Sequence, residues 1–182
     1  ILTSAYMNQA NLTGTNLSGA HMNRVYLNGA NLSEAFLNNA NLNRGVLIQS
    51  TATKTQFERS QLNGALLFGA NLDDANFENA ELVGAMMEGC QLERVNFRKA
   101  RLGRINLNDA NLTEAILTRA NLKDASLIRT IMPDGEIFSA ETDLARFILN
   151  TVSPATQKSA QDLLAERLEM VTRDTKNLDL DV

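Results

Sequence analysis

Large apolar residues return along this chain at every fifth position, from Leu2 to Leu127, without a slip of register. Taking each as the centre i of a unit gives 26 units. Nineteen centres are Leu; Met7, Met22, Met87, Phe57, Phe77, Phe97 and Ala52 complete the set. A helix repeats at about 3.6 residues and a strand at 2, and five is a multiple of neither. Two residues before the centres from Met7 onward stands a mostly small residue, Ala at sixteen positions, with Val25, Val95 and Ile105 the largest. Positions i−2 and i lie two apart, so on an extended segment both face the same way, and i−1 and i+1 face the other.

Position i−1 is mostly polar, with Asn at ten places (Asn11, Asn16, Asn31, Asn41, Asn71, Asn76, Asn96, Asn106, Asn111 and Asn121). Position i+2 is rich in Gly, Asn, Asp and charged residues, as a corner requires. Each unit therefore reads as a three-residue strand and a corner, and four units close a square. Residues numbered 2 or 0 modulo five point into the tube. One coil cannot bury its own apolar face, so stacking supplies the stability. Twenty-six units make 26/4, about 6.5 coils, or roughly 31 Å at about 4.8 Å per coil.

The pattern Ala-Asn-Leu-x-x, as in Ala10-Asn11-Leu12 and Ala110-Asn111-Leu112, resembles the pentapeptide-repeat family. The resemblance covers residues 1–132. It implies an all-β solenoid, a right-handed quadrilateral β-helix. The repeat stops at "RTIMPDGEIFS", where Pro133-Asp134-Gly135 is a turn signal. That ending resembles the Met-Pro-Asp-Gly closure of cyanobacterial members.

Residues 133–182 are expected to form a short α-helical tail of two helices. The first covers residues 140–149, with Ser139 as its N-cap and Leu144, Phe147 and Ile148 on its apolar side. It is expected to cap the solenoid end, which otherwise shows unpaired strand edges. The second opens at Ser153-Pro154 and runs to about residue 172, with Ala160, Leu164 and Leu168 on one face. The final "TKNLDLDV" reads as frayed.

Charge bears on function. Residues 1–130 carry 12 Lys+Arg against 11 Asp+Glu, net +1, and residues 131–182 carry 5 against 10, net −5, which together give −4. Some pentapeptide-repeat proteins imitate DNA and occupy type II topoisomerases such as gyrase, which needs a strongly negative surface. That alternative fits poorly here, because no i−1 position holds Asp and Glu81 is the only acid among them. A column of Asn can instead hydrogen-bond from coil to coil without the repulsion of stacked acids. The basic run Arg94, Arg98, Lys99, Arg101, Arg104 contains Glu93 and no interleaved aromatics, so nucleic-acid binding is not expected.

Residues twenty apart share a face. The i−1 column Tyr6, Tyr26, Val46, Leu66, Met86 is apolar before it turns to Asn106 and Ser126, and Ile48 and Phe68 flank it at i+1. These seven residues predict an outward apolar strip, the mark of an interaction site. Its expected occupant is another protein or a second copy. The second tail helix, roughly 28 Å at about 1.5 Å per residue, is long enough to cover it instead. One corner away, "STATKT" (residues 50–55) puts Ala52 at a centre, which predicts either a cavity or a local bulge.

Catalysis is not expected. His21 is the one histidine and Cys90 the one cysteine; they lie about 3.5 coils apart, and Cys90 stands at a core position. Asp73, Asp74 and Glu78 fall on an open convex surface. No metal cluster, cofactor or small-molecule substrate is expected. No run of about 18 apolar residues predicts a membrane span. The chain opens at Ile1 in mid-repeat, so upstream residues are expected. The default compartment is the cytoplasm, with thylakoid lumen or periplasm following if a targeting segment precedes Ile1.

Overall fold

The computed structural model describes residues 1–149. The second tail helix and the frayed end expected after it lie outside the described residues. The described residues form one compact unit, built as a stack of coils. Parallel bridges join residue n to residue n+20 at every i−1 position, from Tyr6–Tyr26 to Asn111–Ile131. The twenty-residue coil is thus four five-residue units. The flat part of each unit is one bridged residue, shorter than the expected three-residue strand, because the corner takes up the rest.

The corners are uniform. The amide of residue i+3 donates to the carbonyl of residue i at every unit, from Ala5–Leu2 (3.1 Å) to Thr130–Leu127 (3.1 Å). Residue i+2 sits at positive φ, between 54° and 68°, in all 26 units. Such a turn suits glycine at its third residue, yet nineteen of these positions hold another residue, among them Arg24, Arg44, Lys54 and Glu34. A left-handed non-glycine costs roughly 1 kcal/mol. Three ladder hydrogen bonds per unit hold it there: residues i and i+2 donate to the following coil, and residue i−1 donates to the preceding one, as in Leu32–Thr51 (2.7 Å), Glu34–Thr53 (2.9 Å) and Asn31–Ala10 (2.9 Å).

The bore is filled by the centres and the i−2 residues. From Met22 onward every centre through Met132 is buried, and the i−2 residues are buried to Ala120. Leu2, Met7, Leu12 and Leu17, packed on one side only, are half-buried. Phe57, Phe77 and Phe97 stack as a file of rings, 4.6 Å and 5.2 Å between centroids. Polar side chains in the bore are all satisfied: Thr55 donates to the Leu32 carbonyl (2.7 Å), Thr130 to Leu107 (2.8 Å) and Cys90 to Leu67 (2.9 Å).

Ala52 introduces no bulge. Thr51 bridges both Asn31 and Asn71 in unbroken register, and Ala52 is fully buried. The only local sign is a long turn bond, Thr55 to Ala52, at 3.4 Å. The neighbouring coils hold the backbone through ladder bonds on both sides, which leaves a missing side chain little leverage to shift it.

At the C-terminal end the chain doubles back. Ile131 pairs antiparallel with Ile137 around Gly135, whose φ is +85°. Phe138, Leu144, Phe147 and Ile148 pack on the core, and the Ile148 carbonyl accepts the edge amide of Arg119 (2.8 Å). Helix α1 spans only Ala145–Ile148, against the residues 140–149 expected. Ser139 is not its N-cap; that place falls to Leu144. The Ser139 hydroxyl instead donates to Glu141 (2.8 Å) and accepts the Glu141 amide (3.3 Å), a local bonding scheme that competes with helix.

Candidate functional site

One amide per unit is left without a ladder or turn partner: that of residue i+1. Asparagine resolves it. All ten i−1 asparagines accept the i+1 amide of their own unit through Oδ1, from Asn11–Thr13 (3.1 Å) to Asn121–Lys123 (3.0 Å). This corrects the coil-to-coil asparagine ladder expected from sequence. Side-chain links between stacked i−1 residues are confined to Asn76–Gln56 and Asn96–Asn76 among the asparagines. An exposed side-chain amide closes an Asx turn over a fixed backbone donor in preference to reaching across a coil. A second route uses Asn or Asp at i+1 of the coil before, as when Asn28 takes the amide of Ile48 (3.2 Å) and Asp73 that of Glu93 (2.8 Å).

The apolar strip offers no asparagine at i−1, and its first coils rely on the second route, with Asn8 taking the amide of Asn28 (2.9 Å) as Asn28 takes that of Ile48. Tyr6, Tyr26, Val46, Leu66 and Met86 bridge one another in a single column. Tyr6 and Tyr26 stack face to face, centroids 4.7 Å apart and planes within 1°. Ile48 and Phe68 stand beside the column at i+1. Tyr6 is 80% exposed; the other six are half-buried, because each ring or branched side chain shields the flank of the next. Leu66 and Met86 offer no Oδ1, and Ile48 and Phe68 offer none from the coil before. Among the described residues the amides of Phe68 and Glu88 accordingly meet no acceptor. Sequence reasoning missed Ile128, 58% exposed, which follows Asn108 in the same i+1 column, as well as Phe36 and Ile116 on another face. Counting on by twenties from Ile48 would have found Ile128.

The strip ends at a corner whose i+2 column reads Ser4, Arg24, Arg44, Gly64, Gly84. On the far side of that corner lies an open groove lined by Asn23, Arg24, Asn41, Asn43 and Arg44. Both arginines are exposed, and neither has a carboxylate partner among the described residues.

Other charges are paired along the stack. A different corner column alternates in sign: Glu34, Lys54, Asp74, Arg94, Glu114. Arg94 bonds Asp74 through two nitrogens (2.7 and 3.0 Å), and that hydrogen bond holds the Asp74 carboxyl below the usual carboxylate range. Arg129 does the same for Asp109, and Arg101 pairs with Glu81 (3.1 Å). The basic run at residues 94–104 is dispersed around successive corners, with Arg94 and Arg101 already paired.

His21 is exposed and Cys90 fully buried. Desolvation pushes the Cys90 thiol up to about 12, so it stays protonated and inert at neutral pH. Among the described residues no group of His, Cys, Asp and Glu is arranged to hold a metal ion, and no helix is long and apolar enough to cross a membrane.

Stacked coils with buried centres and chemically distinct outer columns define a class, the stacked-repeat proteins. The chain belongs to the pentapeptide-repeat family, whose model of pentapeptide repeats matches it in eight copies over residues 5–44, 30–67, 60–98 and 96–132. Proteins of this family fold as right-handed quadrilateral β-helices and are generally structural or interaction proteins. Among solved structures, a trypsin-treated QnrB1, a plasmid-mediated fluoroquinolone resistance protein, is 17% identical. It covers 92% of this chain and 91% of its own, with a TM-score of 0.50. HetL, involved in heterocyst differentiation regulation in the cyanobacterium Nostoc sp. strain PCC 7120, is 22% identical over 74% of this chain and 90% of its own (TM-score 0.33). Rfr23 from the cyanobacterium Cyanothece 51142 is 26% identical over 66% and 86% (TM-score 0.29). No curated protein matches the chain.

Proposed function

We propose that this chain is a non-catalytic right-handed quadrilateral β-helix that presents a rigid face to another protein, as a scaffold or regulator. The docking face is the strip Tyr6, Tyr26, Val46, Ile48, Leu66, Phe68, Met86. One observation carries the reading. Asparagine at i−1 would cap the corner amide, yet this column holds apolar residues through five successive coils, and the amides of Phe68 and Glu88 go uncapped, as those of Asn38, Thr53 and Gly103 do on other faces. A contiguous apolar surface on an outward face of this kind marks an interaction site. The alternating charges of the Glu34–Glu114 column, and net +1 over residues 1–130, support a protein partner over imitation of a polyanion.

The test is affinity capture by the full chain from a lysate of its parent cell, beside the variant L66E/F68E. The reading expects a protein held by the native chain and lost by the variant, with the circular dichroism of both unchanged. The same captured proteins and the same oligomeric state for both chains sink the strip.

A further inference from the structure

We infer that the groove beside the strip reads carboxylates, and that the partner docks through a segment carrying Asp or Glu next to large apolar side chains. This rests on the docking reading above and adds the chemistry of the partner. The groove presents hydrogen-bond donors and few open acceptors. Asn41 Oδ1 is taken by the Asn43 amide (3.0 Å) and Asn43 Oδ1 by the Asn63 amide (2.8 Å). Because those donors are backbone N–H groups, they fix which side-chain atom is oxygen. Asn23 Oδ1 receives the Thr3 hydroxyl (2.9 Å), and the Asn43 Nδ2 is spent on Gln61 (3.0 Å). What remains is Nδ2 of Asn41 and the two guanidinium groups of Arg24 and Arg44.

The arginines occupy one corner column in consecutive coils, their backbones about 4.8 Å apart. A cation at such a corner is either answered by an acid one coil away, as Arg94 is by Asp74 and Arg129 by Asp109, or stacked on another cation, as Lys99 and Arg119 are. Here like charge follows like charge, a juxtaposition that costs stability until an anion is shared between them. The corner also joins the two surfaces. Arg24 and Tyr26, and likewise Arg44 and Val46, are separated by one inward residue, Val25 or Gly45. A segment lying over the corner therefore meets guanidinium on one side and the tyrosine stack on the other. Bidentate carboxylate recognition beside an apolar strip selects an acidic, apolar peptide.

The experiment is selection of random peptides displayed on phage against the full chain, with R24E/R44E and L66E/F68E as parallel targets. Peptides selected by the native chain are expected to combine Asp or Glu with Leu, Ile or Phe. They should bind R24E/R44E more weakly by on the order of tenfold or more. Peptides selected on R24E/R44E should instead carry Lys or Arg. R24Q/R44Q, which removes charge at little change in size, carries the first expectation should the reversed pair misfold. Equal affinity for the native chain and R24E/R44E, with loss on L66E/F68E, overturns the carboxylate assignment and leaves the strip standing. Absence of any selected peptide overturns both. A self-associated form in sedimentation that R24E/R44E dissolves makes a second copy the occupant and likewise overturns the assignment, as does binding to R24E/R44E that appears only when residues 151–182 are removed.

Discussion

Two outward columns of this solenoid occupy equivalent positions and are built on opposite rules. One reads Asn11, Asn31, Thr51, Asn71, Gln91, Asn111; the other reads Tyr6, Tyr26, Val46, Leu66, Met86. In the first, Asn11, Asn31, Asn71 and Asn111 each close their corner on the i+1 amide. In the second no residue of the column can: Asn8 and Asn28 cap the amides of Asn28 and Ile48 from the coil before, and stacked apolar surface stands beside the uncapped amides of Phe68 and Glu88. Backbone register is the same under both, with ladder bonds of 2.7–3.0 Å throughout. The difference separates what the coil requires from what it merely tolerates, and only the second kind of residue is free to serve a partner.

The inner side common to both columns sets the scale for breaking this comparison. Phe77 lies between Phe57 and Phe97, fully buried. Phe77→Ala is expected to cost about 3–5 kcal/mol by chemical denaturation, because neighbouring coils held by ladder bonds cannot collapse onto the cavity. A loss no larger than that of an outward substitution would mean that the bore carries little of the stability.

Next come the columns themselves, exchanged. Asn71→Ala removes the acceptor of the Asp73 amide and is expected to cost about 0.5–1.5 kcal/mol. Leu66→Asn runs the exchange in the opposite sense, offering Phe68 the acceptor it lacks while giving up part of a half-buried side chain. The two effects nearly offset, so its stability should fall within about 1 kcal/mol of native. Retention of stability together with loss of the captured protein is the result that the docking reading requires. A large loss of stability in Leu66→Asn would make the strip part of the fold.

The smallest expected effect lies on the paired corners. Hydrogen bonds from Arg94 and Arg129 lower the pKa values of Asp74 and Asp109 below 3.8. A depressed folded-state pKa means that the contribution is present above the unfolded value and is lost as pH falls through the folded one. Native protein should therefore lose more of its unfolding midpoint between about pH 5 and pH 2 than D74N/D109N does, and added salt should shrink the gap. Parallel curves would show that these exposed pairs do not contribute.

Much of this was legible in the residues. The file of Phe57, Phe77 and Phe97, the inward place of Cys90 and the grouping of Tyr26 with Val46 all follow from counting by fives and twenties. Both intervals are fixed by the chain's own repeat. The first tail helix was misread, because apolar spacing at Leu144, Phe147 and Ile148 fits a long helix as well as it fits a short one docked on the last coil. The basic run at residues 94–104 is contiguous along the chain, and a corner every five residues scatters it in space.

The sequence alone thus determined the period, the inward positions and the columns, since hydrophobic burial acts on every unit alike and leaves one register that hides all the centres. Only the tertiary structure decided the choices among near-equal partners. Asn Oδ1 closes its own corner in preference to the coil above, Ala52 keeps the coil unbroken, and Asn43 spends its Nδ2 on Gln61. Those choices hang on where a backbone amide points once neighbouring coils have locked it, a direction no single unit contains.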